Sequence, residues 1–131
     1  MDTSALFALA DRRDRNHGAA KQRLRRLARA RRDLVTSTYV VDEVLTLVRY
    51  RLGHPPAVTI GERLLQTRWL RVVEVSDEVR LAAWQLFVRH ADQLFSFTDC
   101  TSFALMHAMG LREAFTFDRR DFAAAGFVAI P

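Results

Sequence analysis

Short apolar runs of strand length, separated by stretches whose apolar residues recur at helical spacing, confine this chain to parallel strands joined by crossovers. The strand candidates are Leu34–Thr36, Trp69–Val75, Ala114–Phe117 and Phe127–Ile130. Between them, Val41, Val44, Leu45, Val48 and Leu52 define a helix over 39–52, closed by Gly53 and blocked by Pro55-Pro56. Pro56 opens a further helix to about Thr67 with Ile60, Leu64 and Leu65 inward. Ser76 caps another, whose stripe is Val79, Ala82, Ala83, Leu86 and Phe87. Thr98 is expected to cap a helix from Asp99 to Met109, and residues 119–125 to make a short helical turn. Strands alternating with helices pair in parallel through right-handed connections. In such sheets a ligand site lies beyond the strands' C-terminal ends.

Four acids sit where these runs end or a helix opens: Asp2, Glu43, Asp99 and Asp118. An unpaired carboxylate is costly to bury. Four of them at one rim point to a shared cation. Each also has an ordinary structural use. Asp99 suits a helix N-terminus, Glu43 a surface ion pair beside solvated Asp42, and Asp118 or Asp121 the cap of the turn at Arg119, while Asp2 lies at the end of the chain.

Charge narrows the partners. The 131 residues carry a net +5, and arginine supplies nearly all of the basic groups. Residues 11–33 alone hold ten Arg/Lys against three Asp, and 20–32 reads as a helix with Leu24, Leu27 and Ala28 on its apolar face. Clustered arginine suits phosphate, whose oxygens its planar fork meets two at a time. The same run also serves as a merely solvated face.

Other chemistries lack their parts. The single Cys100 forms no intramolecular disulfide, and the four histidines are scattered, so neither a zinc site nor a Cys–His pair emerges. His90 near Asp92 reads as a helix C-terminal pair; Trp69 and Trp84 as core or dimer surface; Phe95 and Phe97 as packing beside the Asp99 loop. No apolar run approaches a membrane span and no signal-like segment opens the chain, so one cytoplasmic domain over 1–131 is expected.

Asp2-Thr-Ser-Ala-Leu-Phe-Ala-Leu, Thr36-Ser-Thr-Tyr-Val-Val-Asp-Glu43, Ser96-Phe-Thr-Asp99-Cys-Thr-Ser and Phe115-Thr-Phe-Asp118 together resemble the successive acidic motifs of PIN domains, closest to the VapC-type toxins of toxin–antitoxin pairs. The resemblance implies a three-layer α/β fold with a parallel sheet of four to five strands and helices on both faces. It implies a Mg²⁺- or Mn²⁺-dependent endoribonuclease, commonly dimeric and restrained by a cognate antitoxin. Its metal and catalytic acids would be Asp2, Glu43, Asp99 and Asp118, supported by hydroxyls at Thr3 or Ser4 and at Thr98. Only Met1 precedes Asp2, where the family has a few apolar strand residues, so either the start is truncated or Asp2 is anchored by Met1 and the following helix alone.

The chemistry agrees with that donor set. Two carboxylates about 4 Å apart repel by roughly 4 kcal/mol at an effective dielectric near 20, so four need cations to stay ionised. Mg²⁺ prefers oxygen and is held by few carboxylates plus water and phosphate. Asp2 and Asp99 are read as direct ligands, Asp118 and Glu43 as holding a second ion or its waters. The basic segment follows Asp2 directly and is expected to border the acids, with Arg12, Arg13, Arg25, Arg26 and Arg29 as RNA contacts. The alternatives are a non-catalytic PIN-like RNA- or protein-binding module and a flap-type DNA nuclease; the latter needs clamping elements for which 131 residues leave no room.

Overall fold

The computed structural model describes residues 1–131. Helices Thr3–Ala10 (α1) and His17–Arg29 (α2) precede the strand Leu34–Ser37 (β1). Helices Thr38–Leu52 (α3) and His54–Gln66 (α4) lead to strand Leu70–Val73 (β2), then to helices Asp77–Arg89 (α5) and Phe97–Ala108 (α6). Strand Glu113–Ala114 (β3), the short helix Arg119–Ala124 (α7) and strand Val128–Ala129 (β4) complete the chain. No helix is long and apolar enough to cross a membrane.

β1 and β2 pair in parallel, Leu34 opposite Leu70 and Ser37 opposite Val73. β3 and β4 do the same, Glu113 opposite Val128. The strands are therefore parallel as expected, but in place of one sheet of four to five strands there are two separate pairs. The cause lies between them. The amino group of Met1 donates to Val35 O (2.6 Å), and Thr36 Oγ1 donates to Met1 O (2.9 Å). On the other side Asp2 N donates to Phe115 O (3.0 Å). Residues 1–2 thus lie between the two pairs and bond to both.

Adjacent residues of β3 and its extension face opposite cores, as the period of two requires. Ala114 belongs to a cluster with Phe95, Phe103, Phe122 and Phe127, under α5, α6 and α7. Phe115 packs instead with Ala5, Ala8, Ala20 and Leu27, between α1 and α2. This pair of strands thus has helices on both faces. A third cluster joins Val40, Val44 and Val48 of α3 to Leu6, Ala57, Leu64 and Leu70.

Several boundaries differ from the pattern-based expectation. The basic helix starts at His17 and ends at Arg29 rather than spanning 20–32. The 69–75 run is strand only over Leu70–Val73. The 114–117 run pairs only at Glu113–Ala114, because Phe117 N donates to Ser4 Oγ (2.9 Å) and Asp118 N to Thr116 Oγ1 (2.9 Å). α6 begins two residues early. Its cap is Ser96, not Thr98, because Ser96 and Asp99 form a capping box that satisfies two end donors reciprocally.

Phe103 is the hub of the larger core, with ring centroids 5.1 Å from both Phe95 and Phe122 and 5.8 Å from Phe127. Phe103→Ala is expected to lower the unfolding free energy by about 3–5 kcal/mol, checked by urea denaturation; a loss below about 1 kcal/mol would contradict the assignment of this core.

Candidate active site

Three of the four acids sit at helix N-termini and the fourth lies on the helix facing them. Asp2 is the N-cap of α1. It is 6% exposed, and its Oδ2 accepts from Ser4 N (3.1 Å), Ser4 Oγ (2.8 Å) and Thr116 Oγ1 (3.0 Å). Backbone bonds on both sides of residues 1–2 fix its position. Thr3, the first residue of α1, donates from Oγ1 to Glu43 Oε2 in the second turn of α3. That short bond ties the first acidic motif to the second.

Asp99 is the third residue of α6, and its Oδ2 accepts from Ser96 N and Ser96 Oγ, both at 2.7 Å. Burial pushes its carboxyl up to about 6; the Ser96 hydrogen bonds oppose that shift, while the Asp2 and Glu43 charges add to it. Asp118 caps α7, its Oδ1 accepting from Asp121 N (3.3 Å). Its carboxyl is also raised, first by burial, with Asp121 and Asp2 as neighbouring negative charges. Asp2 therefore acts electrostatically on both Asp99 and Asp118, and Glu43 on Asp99. Asp2 is the charge common to both.

A common pattern runs through them. Each has one oxygen engaged by a hydroxyl or a backbone N–H: Oδ2 of Asp2, Oε2 of Glu43, Oδ2 of Asp99 and Oδ1 of Asp118. The other oxygen of each receives no protein hydrogen bond. No buried side-chain oxygen lacks a partner, so these free oxygens reach solvent. No three acids converge closely enough here to enclose an ion. The donor chemistry nevertheless fits a hard divalent cation: all donors are oxygens, each is held by one atom and open at the other, and the Asp99 and Asp118 carboxyls, raised first by burial, also feel neighbouring negative charge that a cation would offset.

The supporting residues differ in part from the expected ones. Ser4 holds Asp2, whereas Thr3 holds Glu43. The hydroxyl on Asp99 comes from Ser96; Thr98 contributes only its carbonyl, to Thr101 Oγ1. Two residues escaped the sequence reading. Ser96 was legible in the Ser-x-x-Asp spacing of a capping box. Thr116 was legible as the one polar residue in an apolar run.

The basic segment begins at the far end of α1 from Asp2. α1 spans eight residues, so Arg12 and Arg13 follow an end about 12 Å from Asp2. Arg32 pairs with Glu113 (2.7 Å) at the start of β3, and Arg23 Nε donates to Pro131 O (2.8 Å). With Leu27 packed on Phe115, these contacts lay α2 along the β3–β4 pair, Arg23 near the residue that follows β4 and Arg32 at the start of β3. The arginines next to the acids in sequence are Arg119 and Arg120, both exposed, directly after Asp118. Cys100 is buried, its thiol pushed up to about 11 by burial and then by Asp99, which removes it as a nucleophile. Phe95 is core, His90 lies against its ring, and Trp69 and Trp84 are surface residues.

An α/β chain with parallel strands and carboxylates gathered at helix N-termini defines a nuclease-like architecture. Residues 1–128 match the PIN domain, and the chain belongs to that family. It is 40% identical over 131 residues to the 23S rRNA-specific endonuclease VapC20 of Mycobacterium tuberculosis, covering 99% of this chain and 95% of the relative. Ribonuclease VapC26 of the same organism is 31% identical over 124 residues, covering 95% of this chain and 89% of that protein. The crystal structure of VapC20, described as a sarcin–ricin loop cleaving toxin, superposes with a TM-score of 0.86 at 37% identity, covering 98% of this chain and 95% of that one.

The raised Asp99 carboxyl carries a stability consequence. The unfolded chain ionises Asp99 near 3.8 and the fold only near 6, so its contribution is fully present below about pH 4 and is lost as pH rises through 6. Asp99→Asn, which keeps an oxygen for Ser96, is expected to raise the Tm of metal-free protein at pH 7.5 by about 3–5 °C, equivalent to about 1 kcal/mol after allowing for partial solvent screening. The gain should vanish at pH 4. Melting curves at the two pH values check this, and an equal gain at both would contradict it.

Proposed function

We propose that this protein is the toxin of a toxin–antitoxin pair, an endoribonuclease that hydrolyses RNA phosphodiester bonds with Mg²⁺ or Mn²⁺ held by Asp2, Glu43, Asp99 and Asp118. What carries this reading is the arrangement of four carboxylates with one oxygen fixed and one open, Asp2 acting electrostatically on Asp99 and Asp118 and Glu43 on Asp99. A hard divalent cation supplies a more acidic water and stabilises charge on the phosphate. Asp2 and Asp99 are the direct ligands in this reading, with Asp118 and Glu43 serving a second ion or bound waters. The hydroxyls of Ser4, Thr3 and Ser96 hold three of those carboxylates in place.

Arg119 and Arg120 are the arginines suited to the phosphates beside the cleaved bond. Arg12, Arg13, Arg25, Arg26 and Arg29, at the other end of α1 and α2, would hold RNA that extends beyond it. VapC20 is named for 23S rRNA, which makes ribosomal RNA the first substrate class to test for this chain. The site of action would then be the cytoplasm. Against the non-catalytic alternative, Asp2 N donates to Phe115 O and Asp2 Oδ2 accepts from Thr116 Oγ1, which holds the first acid in place.

Two surfaces suit the expected protein partners. α5 exposes Leu81, Trp84, Phe87 and Val88, with Trp84 54% and Leu81 60% accessible. A second copy of the chain would bury that apolar face. Between α1, α2 and α4, a groove lined by Leu6, Leu9, Leu24 and Leu64 carries Arg12, Lys21 and Arg63 on its rim. Its apolar floor and basic edge suit an acidic amphipathic segment of the antitoxin. A basic antitoxin side chain reaching the four acids would compete with the metal.

The purified protein should cleave 23S rRNA with Mg²⁺ or Mn²⁺, lose activity in EDTA, and leave a matched DNA oligonucleotide intact. Asp99→Asn should reduce the cleavage rate by at least about 100-fold. Full activity in EDTA or in that variant would overturn the assignment. Trp84→Glu is expected to convert a dimer to a monomer in light scattering; a wild-type monomer at tens of micromolar would refute the α5 interface.

A further inference from the structure

Thr116 is fully buried and sits at the crossing of three connections that the proposed chemistry has not used. Its Oγ1 accepts from Asp118 N (2.9 Å), donates to Asp2 Oδ2 (3.0 Å), and lies 3.1 Å from Ser4 Oγ. Ser4 Oγ has a parallel arrangement, accepting from Phe117 N (2.9 Å) and approaching Asp2 Oδ2 at 2.8 Å. A hydroxyl has one proton to give. Each of these two receives a peptide N–H and directs its own proton at the same carboxylate oxygen, so the polarity of both chains is set: peptide N–H to hydroxyl to Asp2. With Ser4 N as a third donor, Oδ2 of Asp2 is saturated as an acceptor, and only Oδ1 is left to face outward.

The first and last acidic motifs, over a hundred residues apart, are thereby joined through one buried side chain. The backbone N–H of Asp118 is fixed by the same hydroxyl that orients Asp2. Either acid shifts if Thr116 loses its oxygen.

Resting on the metal-site reading above, we infer that Thr116, paired with Ser4, is a positioning residue that locks Asp2 and Asp118 into one arrangement and thereby sets the affinity of the site for a divalent cation. Groups that orient metal ligands typically change affinity 10–100-fold when removed. Thr116→Val keeps the shape of the side chain and removes only the oxygen, leaving Asp118 N without its acceptor and Asp2 with one donor fewer. Thr116→Ser keeps the oxygen and drops a methyl group.

The test is a Mn²⁺ titration read in two ways: the thermal shift of RNA-free protein, and the cleavage rate of ribosomal RNA. For Thr116→Val the Mn²⁺ midpoint should rise at least about 10-fold in both, with much of the rate recovered at saturating Mn²⁺. Thr116→Ser should bring the midpoint back to within about threefold of wild type. Ser4→Ala, which removes the companion hydroxyl, should shift the midpoint in the same direction and carries the test if Thr116→Val does not fold. Wild-type midpoints in both oxygen-deleted variants would overturn the inference while leaving the metal-site reading intact. A wild-type protein with no Mn²⁺ response in either measurement would overturn both.

Discussion

The two-residue backbone segment Met1–Asp2 is the constraint on which the arrangement turns. It bonds to Val35 and Thr36 on one side and to Phe115 on the other, joining two parallel strand pairs that otherwise share no ladder. Buried backbone groups must find partners. Here Met1 and Asp2 supply them to β1 and to the extension of β3 at once. Asp2 is delivered to the rim by the same bonds. The placement of the first acid is therefore a product of how the halves are held together.

From that anchor the remaining acids follow by a common device. A helix start presents unpaired N–H groups and the positive end of the helix dipole. Asp2, Asp99 and Asp118 each occupy such a start, on α1, α6 and α7. Glu43, inside α3, is brought in by the hydroxyl of Thr3 at the first turn of α1. Carboxylates that would repel one another in isolation are partly compensated by these donors, yet Asp99 and Asp118 remain raised. The compensation is incomplete by construction: the donors fill one oxygen of each acid and leave the other open.

Much of this was legible in the residues. The order of helices and strands, the valine stripe of α3 and the placement of four acids at run ends all follow from periodicity and punctuation. The strand ends were not legible, because the backbone of Phe117 and Asp118 bonds to side chains of Ser4 and Thr116 where the apolar pattern alone promised a ladder. The cap of α6 was misplaced because Ser96 and Thr98 are both competent caps, and the reciprocal bond to Asp99 decides for Ser96. The bounds of the basic helix differ from the pattern because it starts at His17, and α1 carries the chain about 12 Å from Asp2 before the arginines begin.

Structural and chemical uses of these acids are therefore not alternatives. The capping bond that accounts for Asp99 as a helix stop engages Oδ2 and says nothing against a role for the other oxygen; it supplies the orientation such a role requires. The same holds for Asp118 and Asp121 N, and for Asp2 with its three donors. A cap satisfied by one oxygen costs the fold little and leaves a carboxylate whose direction is already chosen. Preorganised groups of that kind need no rearrangement when charge arrives. A site assembled from caps is thus held by the bonds that begin its helices, and removing a cap is expected to disturb helix start and site geometry together.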